Sequence, residues 1–286
     1  MNVVNVKTLV ACVAAVSVMQ LFAAVPGYST LIAHRGESLD APENTLPAYR
    51  MAVERGFGFE CDIYLSSDGL LYTFHDRDLT RTTGGANTNA CTAVDWEATV
   101  SKLNVGGWGK WKGSKFDPTR PALLEEVLAL ARPGRKIYVE VKGDNPSWVP
   151  YIKKVFAKEP KATPETVLFI SFGQKVCAEL KRRMPEFKTY WLTGTRQKIK
   201  DGIRSKVTAE QIVATCRKLG VDGVDAQYVP EIVTSDFIKT VHDAGLEFHV
   251  WTVDTLENTV EAFARGADTV TTNCAKKQLD AWTAAR

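Results

Sequence analysis

From residue 30 onward the chain alternates short runs of β-branched and aromatic residues with longer segments whose apolar positions recur at helical spacing. That alternation is expected of repeated βα units around a parallel sheet. Strands covered on both faces read as continuous apolar runs, and the helices between them as amphipathic ones. The runs predict strands at residues 30–33, 57–65, 70–74, 136–141, 167–171, 188–192, 223–226, 247–252 and 268–272. These are nine candidates for the eight places of an α/β fold of the (β/α)8, TIM-like barrel kind. Residues 57–65 and 70–74 are joined only by Ser66-Ser67-Asp68-Gly69, a turn with no room for a helix. Regular alternation breaks there, and one of the nine is expected to be false.

Helices are predicted where capping signals precede apolar periodicity. Asn44-Thr45 opens a segment running to Arg55, with Pro47 in its first turn and Gly56 at its end. Further helices are expected over residues 123–131, 174–183, 209–219, 235–244 and 256–264. Gly220, Gly245 and Gly266 follow the last three as C-terminal caps, each just before a strand. The stretch 84–121 differs, being long, weakly periodic and rich in Trp96, Trp108, Trp111 and Phe116 interleaved with Lys102, Lys110, Lys112 and Lys115. It reads as an insertion beside the barrel mouth, either a small lid packed by its aromatics or one that also grips an anionic headgroup.

The first two dozen residues stand apart. Lys7 precedes an apolar run over residues 9–24, too short for a spanning helix and ending in Ala23 and Ala24 before Pro26-Gly27. Residues 1–24 therefore read as a signal peptide, with export to a periplasm or the medium, and residues 25–286 as one barrel domain with no membrane anchor of its own. A lipoprotein cleavage box at Leu9-Val10-Ala11-Cys12 is the rival, but almost no apolar region precedes that cysteine. Removal of Cys12 leaves five cysteines, an odd number without a C-x-x-C element, which disfavours a disulfide framework or zinc ribbon and suggests buried apolar fillers. A formal net charge of +3 in 286 residues is too mild to argue for a nucleic-acid partner.

The candidate chemistry gathers at strand ends. A period of two puts Glu60 and Asp62 on one face with Cys61 on the other, and Glu140 and Lys142 repeat the pattern around Val141. In a barrel those ends form the catalytic side. Three converging carboxylates repel one another unless protons or a cation intervene, and their hard oxygens suit Mg2+ or Ca2+ better than Zn2+. His34 and His75 also end strand candidates, each followed by a charged residue, and two imidazoles can form an acid/base pair near neutral pH. Arg35 offers a planar fork and Lys142 a point charge for a phosphate, while Gly36 lets the backbone turn around the anion. His242 and His249 have no charged constellation and read as structural or peripheral.

The runs His34-Arg35-Gly36, Pro42-Glu43-Asn44-Thr45, Glu60-Cys61-Asp62, Asp68-Gly69, Phe74-His75-Asp76, Leu79-Thr80-Arg81-Thr82-Thr83, Glu140-Val141-Lys142 and Trp251-Thr252-Val253 follow one another along nearly the whole mature chain. In order and spacing they resemble the bacterial glycerophosphodiester phosphodiesterases. The resemblance implies a divalent cation, Mg2+ or Ca2+, on Glu60, Asp62 and Glu140, His34 and His75 as the acid/base pair, and Arg35 with Lys142 as the phosphate clamp. Trp251 resembles the family's aromatic wall beside the substrate, although a core tryptophan closing the barrel reads as well. The expected activity is hydrolysis of a small glycerophosphodiester to an alcohol and glycerol 3-phosphate. A lysophospholipase D or sphingomyelinase D-like action on a lipid diester, with peripheral lipid contact, is one alternative. A catalytically silent binding protein is another. Two departures from the family pattern, Asp254 for a common Asn and Thr272-Asn273-Cys274-Ala275 for a Thr-Asp-x-Pro-like segment, are expected to reshape the rim without touching the seven core positions.

Overall fold

A computed structural model describes residues 28–199 and 202–285; the predicted signal segment lies outside these residues. Eight strands run parallel: β1 (Leu31–Ala33), β2 (Gly58–Leu65), β4 (Ile137–Val141), β5 (Val167–Ser171), β6 (Thr189–Thr193), β9 (Gly223–Gln227), β10 (Glu247–Trp251) and β11 (Thr269–Thr272). Pairing of β1 with both β11 and β2 closes them into a barrel. The helices α1 (Leu46–Glu54), α2 (Leu124–Leu128), α3 (Val149–Phe156), α4 (Gln174–Arg183), α5 (Ala209–Leu219), α6 (Ser235–Asp243), α7 (Leu256–Arg265) and α8 (Ala275–Ala284) follow or separate these strands.

None of the nine strand candidates is false. The extra one is β3 (Leu71–Thr73), which folds back antiparallel on β2 through the turn at 66–69 and takes no place in the barrel. A short antiparallel hairpin, β7 (Arg196–Ile199) with β8 (Gly202–Ser205), escaped prediction because its mostly polar, exposed residues carry no apolar alternation. Helices α3 and α8 also went unpredicted.

Alternation within each strand sorts the core into two parts. Ile32, Tyr138, Leu168, Ile170, Tyr190 and Leu192 fill the barrel, with Trp251 against them, while Phe59, Cys61, Val139, Val141, Phe169 and Val224 face the surrounding helices. Below that plug, Tyr138 Oη lies 3.2 Å from His249 Nδ1 and 3.0 Å from Thr269 Oγ1, a buried network away from the mouth. His242 pairs with Asp268 at 3.0 Å. All five cysteines among the described residues are free and buried. No described helix is long and apolar enough to cross a membrane.

Within the insertion, Trp96 is buried beside Tyr72 with ring centroids 6.1 Å apart, and Trp111 packs edge-on against Phe116 at 5.6 Å. Lys110 and Lys115 lie over those two rings, and Lys110 Nζ also donates to the Leu39 carbonyl. These lysines serve the insertion's packing and its tie to the loop after β1.

Candidate active site

The strand period brings Glu60 and Asp62 inward from β2, and the register sets Glu140 of β4 directly beside Asp62. One oxygen from each of the three buried carboxyls lies within 4.8 Å of the others. Glu60 Oε2 accepts a hydrogen bond from the Arg35 amide at 2.8 Å, while Oε1 is buried with no hydrogen-bond partner among the described residues. Lys142 Nζ sits 3.1 Å from Asp62 Oδ1 and 2.8 Å from Glu140 Oε1, and Arg35 Nε is 3.6 Å from Asp62 Oδ2. Burial, reinforced by Asp62 and Glu140, pushes the Glu60 carboxyl far above the usual range; burial and then Asp62 bring Glu140 to about 7. Asp62 moves the other way. Burial opposes its charge, but Lys142, Arg35, His75 and the Asn44 amide hold it below the usual carboxylate range.

The loop after β1 shapes this rim. Arg35 and Asn44 are the only non-glycine residues at positive φ among those described, at 57° and 56°. Arg35 turns its amide toward Glu60 in that conformation, and Gly36 follows at φ 78° with its Cα so close to Ala48 that a Cβ would sit 2.6 Å from the Ala48 carbonyl carbon. Asn44 does not cap α1, and the Thr45 hydroxyl donates to the Pro42 carbonyl instead. The Asn44 side chain faces the site, donating to Asp62 Oδ2 at 2.7 Å and accepting from the Asp62 amide at 3.1 Å and the Tyr49 hydroxyl at 2.7 Å.

Both predicted imidazoles reach the same rim. His34 Nδ1 faces Asn273 Oδ1 at 2.6 Å, and its Nε2 is 3.9 Å from Glu60 Oε2. Burial, with Arg35 adding to it, lowers its pKa to about 4. His75 Nδ1 faces Asp76 Oδ1 at 2.7 Å. Burial lowers its pKa too, opposed by Asp62 and by the bond to Asp76. From His75 a line of alternating charges runs back to the carboxylates: Asp76 accepts from Arg81 at 2.6 Å, Arg81 donates to Glu43 at 2.7 Å, and Glu43 accepts from Arg35 at 2.8 Å. The Arg81 guanidinium rests on the Trp108 ring of the insertion at 4.9 Å.

Two spaces meet at His75, Glu140, Lys142 and Phe172. An inner cavity of about 270 Å3 is bounded by His34, Arg35, Glu60, Leu192, Asp225 and Trp251. An open groove of about 1410 Å3 runs outward past Tyr64, Ala90, Thr92, Trp148, Lys175 and Lys218. Trp251 is a wall of the inner cavity, its Nε1 donating to the Asp225 carbonyl at 3.1 Å and its ring edge-on to Phe172 at 5.7 Å.

Residues 34–277 match the profile of the glycerophosphoryl diester phosphodiesterase family, and this span includes every element of the barrel except β1 and most of α8. The chain belongs to this family. It is 41% identical over 123 residues to a probable glycerophosphodiester phosphodiesterase 1 of Mycobacterium tuberculosis, a stretch covering 41% of this chain and 43% of that protein. The match thus spans less than half of that relative's length. Against glycerophosphodiester phosphodiesterase 1 of Bos taurus the identity is 27% over 247 residues, covering 79% of this chain and 72% of the relative. In fold the chain is similar to a phosphodiesterase of Oleispira antarctica solved with the product sn-glycerol-3-phosphate, with TM-score 0.71 at 23% identity over 91% of this chain and 98% of that one. A putative glycerophosphoryl diester phosphodiesterase of Silicibacter pomeroyi gives a TM-score of 0.76 at 19% identity, over 93% and 97% of the two chains.

The chain's two departures from the family pattern touch each other and one of the core positions. Asn273 Nδ2 donates to Asp254 Oδ2 at 2.8 Å, its amide donates to Asp254 Oδ1 at 2.9 Å, and its Oδ1 is the atom facing His34. The expectation that neither departure reaches the seven positions is therefore overturned. The two positions carry an exchange of Asn for Asp and Asp for Asn, and read together they signal a contact. Asn44 and the Glu43–Arg81–Asp76 line also have no role in a reading by motif alone, because a run of residues does not say which side chains meet.

Proposed function

We propose that the protein hydrolyses glycerophosphodiesters to glycerol 3-phosphate and an alcohol, using one divalent cation, Mg2+ or Ca2+. What carries the reading is the meeting at one rim of three carboxylates, two imidazoles and two cationic side chains. Oxygen-only donors on Glu60, Asp62 and Glu140 suit a hard cation, and the buried, partnerless Glu60 Oε1 is the feature that fits one. When bound, such an ion supplies positive charge to a phosphate oxygen as negative charge develops there.

The chain's own residues divide the rest. Arg35 and Lys142 bind and orient the phosphate, the first as a fork and the second as a point charge. His34 is the base: the Asn273 oxygen accepts a hydrogen bond from Nδ1–H, which leaves Nε2 with its lone pair, and the lowered pKa keeps the ring neutral at pH 7. The nucleophile, water or the substrate's own neighbouring hydroxyl, loses its proton there. His75 is the acid. Its Nδ1 rests on the Asp76 carboxylate, which supports an imidazolium in a way the amide behind His34 does not, and Nε2 delivers the proton to the departing alkoxide. His34 borders only the inner cavity, whereas His75 borders both spaces. The glycerol half accordingly enters the cavity and the alcohol half the groove, whose width admits varied headgroups.

The test is to incubate the protein with glycerophosphocholine and glycerophosphoethanolamine in 18O-labelled water and identify the products. Glycerol 3-phosphate with free choline or ethanolamine is expected. Binding without release of either product would overturn the reading in favour of a silent binding protein.

A further inference from the structure

We propose that Asp225 is a substrate-binding residue that hydrogen-bonds the terminal hydroxyl of the glycerol half, an inference that rests on the function just given. Strand alternation sends Val224 and Ala226 of β9 into the helix-facing core and Asp225 into the barrel, in register with Leu192 and His249. There it borders the inner cavity among Ile170, Leu192 and Trp251, on a strand that stands across the barrel from β2. It is 1% exposed, and its Oδ1 is buried with no hydrogen-bond partner among the described residues.

Other buried carboxyls here have an evident purpose. Asp62 and Glu140 share Lys142, Glu37 accepts from Arg55, and Glu60 belongs to the acidic trio. Asp225 has neither an ion pair nor a place in that trio. A polar atom buried without a partner disfavours the fold, so one aimed into a cavity points to a ligand that completes it. Burial, and then the nearby Glu140, push this carboxyl far above the usual range, which favours its protonated form. A neutral carboxyl has one donor and spare acceptor capacity, the complement of an alcohol hydroxyl and of neither a phosphate nor an ammonium group. The apolar walls beside it match the carbon skeleton of a small polyol. Acylation of the same hydroxyl removes its donor, so Asp225 also selects against phospholipids whose glycerol is esterified.

The experiment compares wild type, Asp225→Ala and Asp225→Asn on glycerophosphocholine and on 2-hydroxypropyl phosphocholine, which lacks only the terminal hydroxyl. Asp225→Ala is expected to raise KM for glycerophosphocholine ~10-fold or more, the order of one lost hydrogen bond with its partner left unpaired, with kcat changed little. On the deoxy analogue it changes KM by no more than about twofold, because the partner is already missing. Asp225→Asn, which donates and accepts like the neutral acid, stays within about threefold of wild type. Equal losses on both substrates overturn the proposal. So does calorimetric loss of Mg2+ or Ca2+ binding in Asp225→Ala, which would make it a cation ligand. A wild type that turns over neither diester sinks the proposed function instead. Calorimetric binding of glycerol 3-phosphate against propane-1,2-diol 1-phosphate then still decides the role of Asp225, and loss of the preference in Asp225→Ala is the supporting result.

Discussion

Replacing Asn273 with Ala removes the acceptor 2.6 Å from His34 Nδ1 and the amide that ties this residue to Asp254, while the backbone bond from position 273 to Asp254 remains. The fold should barely register the change, since Asn273 follows the end of β11 at the partly exposed rim. The chemistry should. A neutral hydrogen bond contributes ~1 kcal/mol, about fivefold in rate if it is lost only in the transition state. Freeing the ring to change tautomer adds to that, and a catalytic imidazole held in the wrong tautomer loses up to ~10⁴-fold. Asn273→Ala is therefore expected to lower kcat ~10–10²-fold, with KM nearly unchanged because neither lost contact touches the substrate. Asn273→Asp alone opposes two carboxylates, and Asp254→Asn alone opposes two amides. The double exchange Asn273→Asp with Asp254→Asn restores the donor and acceptor pattern and should recover most of kcat. Steady-state kinetics on glycerophosphocholine, with melting temperatures as a control for folding, reads all four proteins. If Asn273→Ala keeps full kcat, or the double exchange is no better than the worse single, Asn273 does not orient His34.

The remaining predictions concern the acid and the acidic trio. His75→Ala should cost ~10²–10⁴-fold in kcat on glycerophosphocholine, whose alkoxide needs a proton, and far less on a glycerol 4-nitrophenyl phosphodiester, whose leaving group does not; equal losses on both would remove His75 from the acid role. Burial brings Glu140 to about 7 and raises Glu60 as well, so both favour protons that a divalent cation must displace. Cation affinity should therefore fall as pH falls through about 7, by ~10-fold per pH unit for each proton released, and calorimetry in buffers of different ionisation enthalpy should count those protons. A dissociation constant flat between about pH 5.5 and about pH 8 would contradict the raised carboxyls.

Much of this arrangement could be read from the chain because its signals are local. Period-two alternation around Cys61 and Val141 set the carboxylates and Lys142 on the inner face of their strands, and glycines at 220 and 266 mark helix ends where the backbone turns left-handed, at φ 70° and 110°. The ninth strand was visible as a strand, but its antiparallel return on β2 depends on pairing that an apolar run does not encode. The strands β7 and β8 are mostly polar, and α3 follows Pro146 and contains Pro150, so neither announces itself. Within the site, the seven expected side chains do meet, since Glu60, Asp62 and Glu140 face inward from their strands and the other four follow closely on β1, β3 or β4. What motif reading left out are contacts across long separations: Asn44 to Asp62, Glu43 to Arg81, and Asn273 to His34, 239 positions away. Asp225 is hidden for a different reason. A single acid among Val224 and Ala226 on a strand looks like a polar face until the register shows that this face lines the cavity.

The most direct measurement of the central claim is glycerophosphocholine turnover by the purified protein after exhaustive chelation, followed by return of Mg2+ or Ca2+, in wild type and in Glu60→Gln. Activity should fall to background on chelation, recover in wild type with at least one of the two ions, and stay low in the variant. Undiminished turnover in the chelator, or full recovery in Glu60→Gln, would contradict the assignment of the acidic trio.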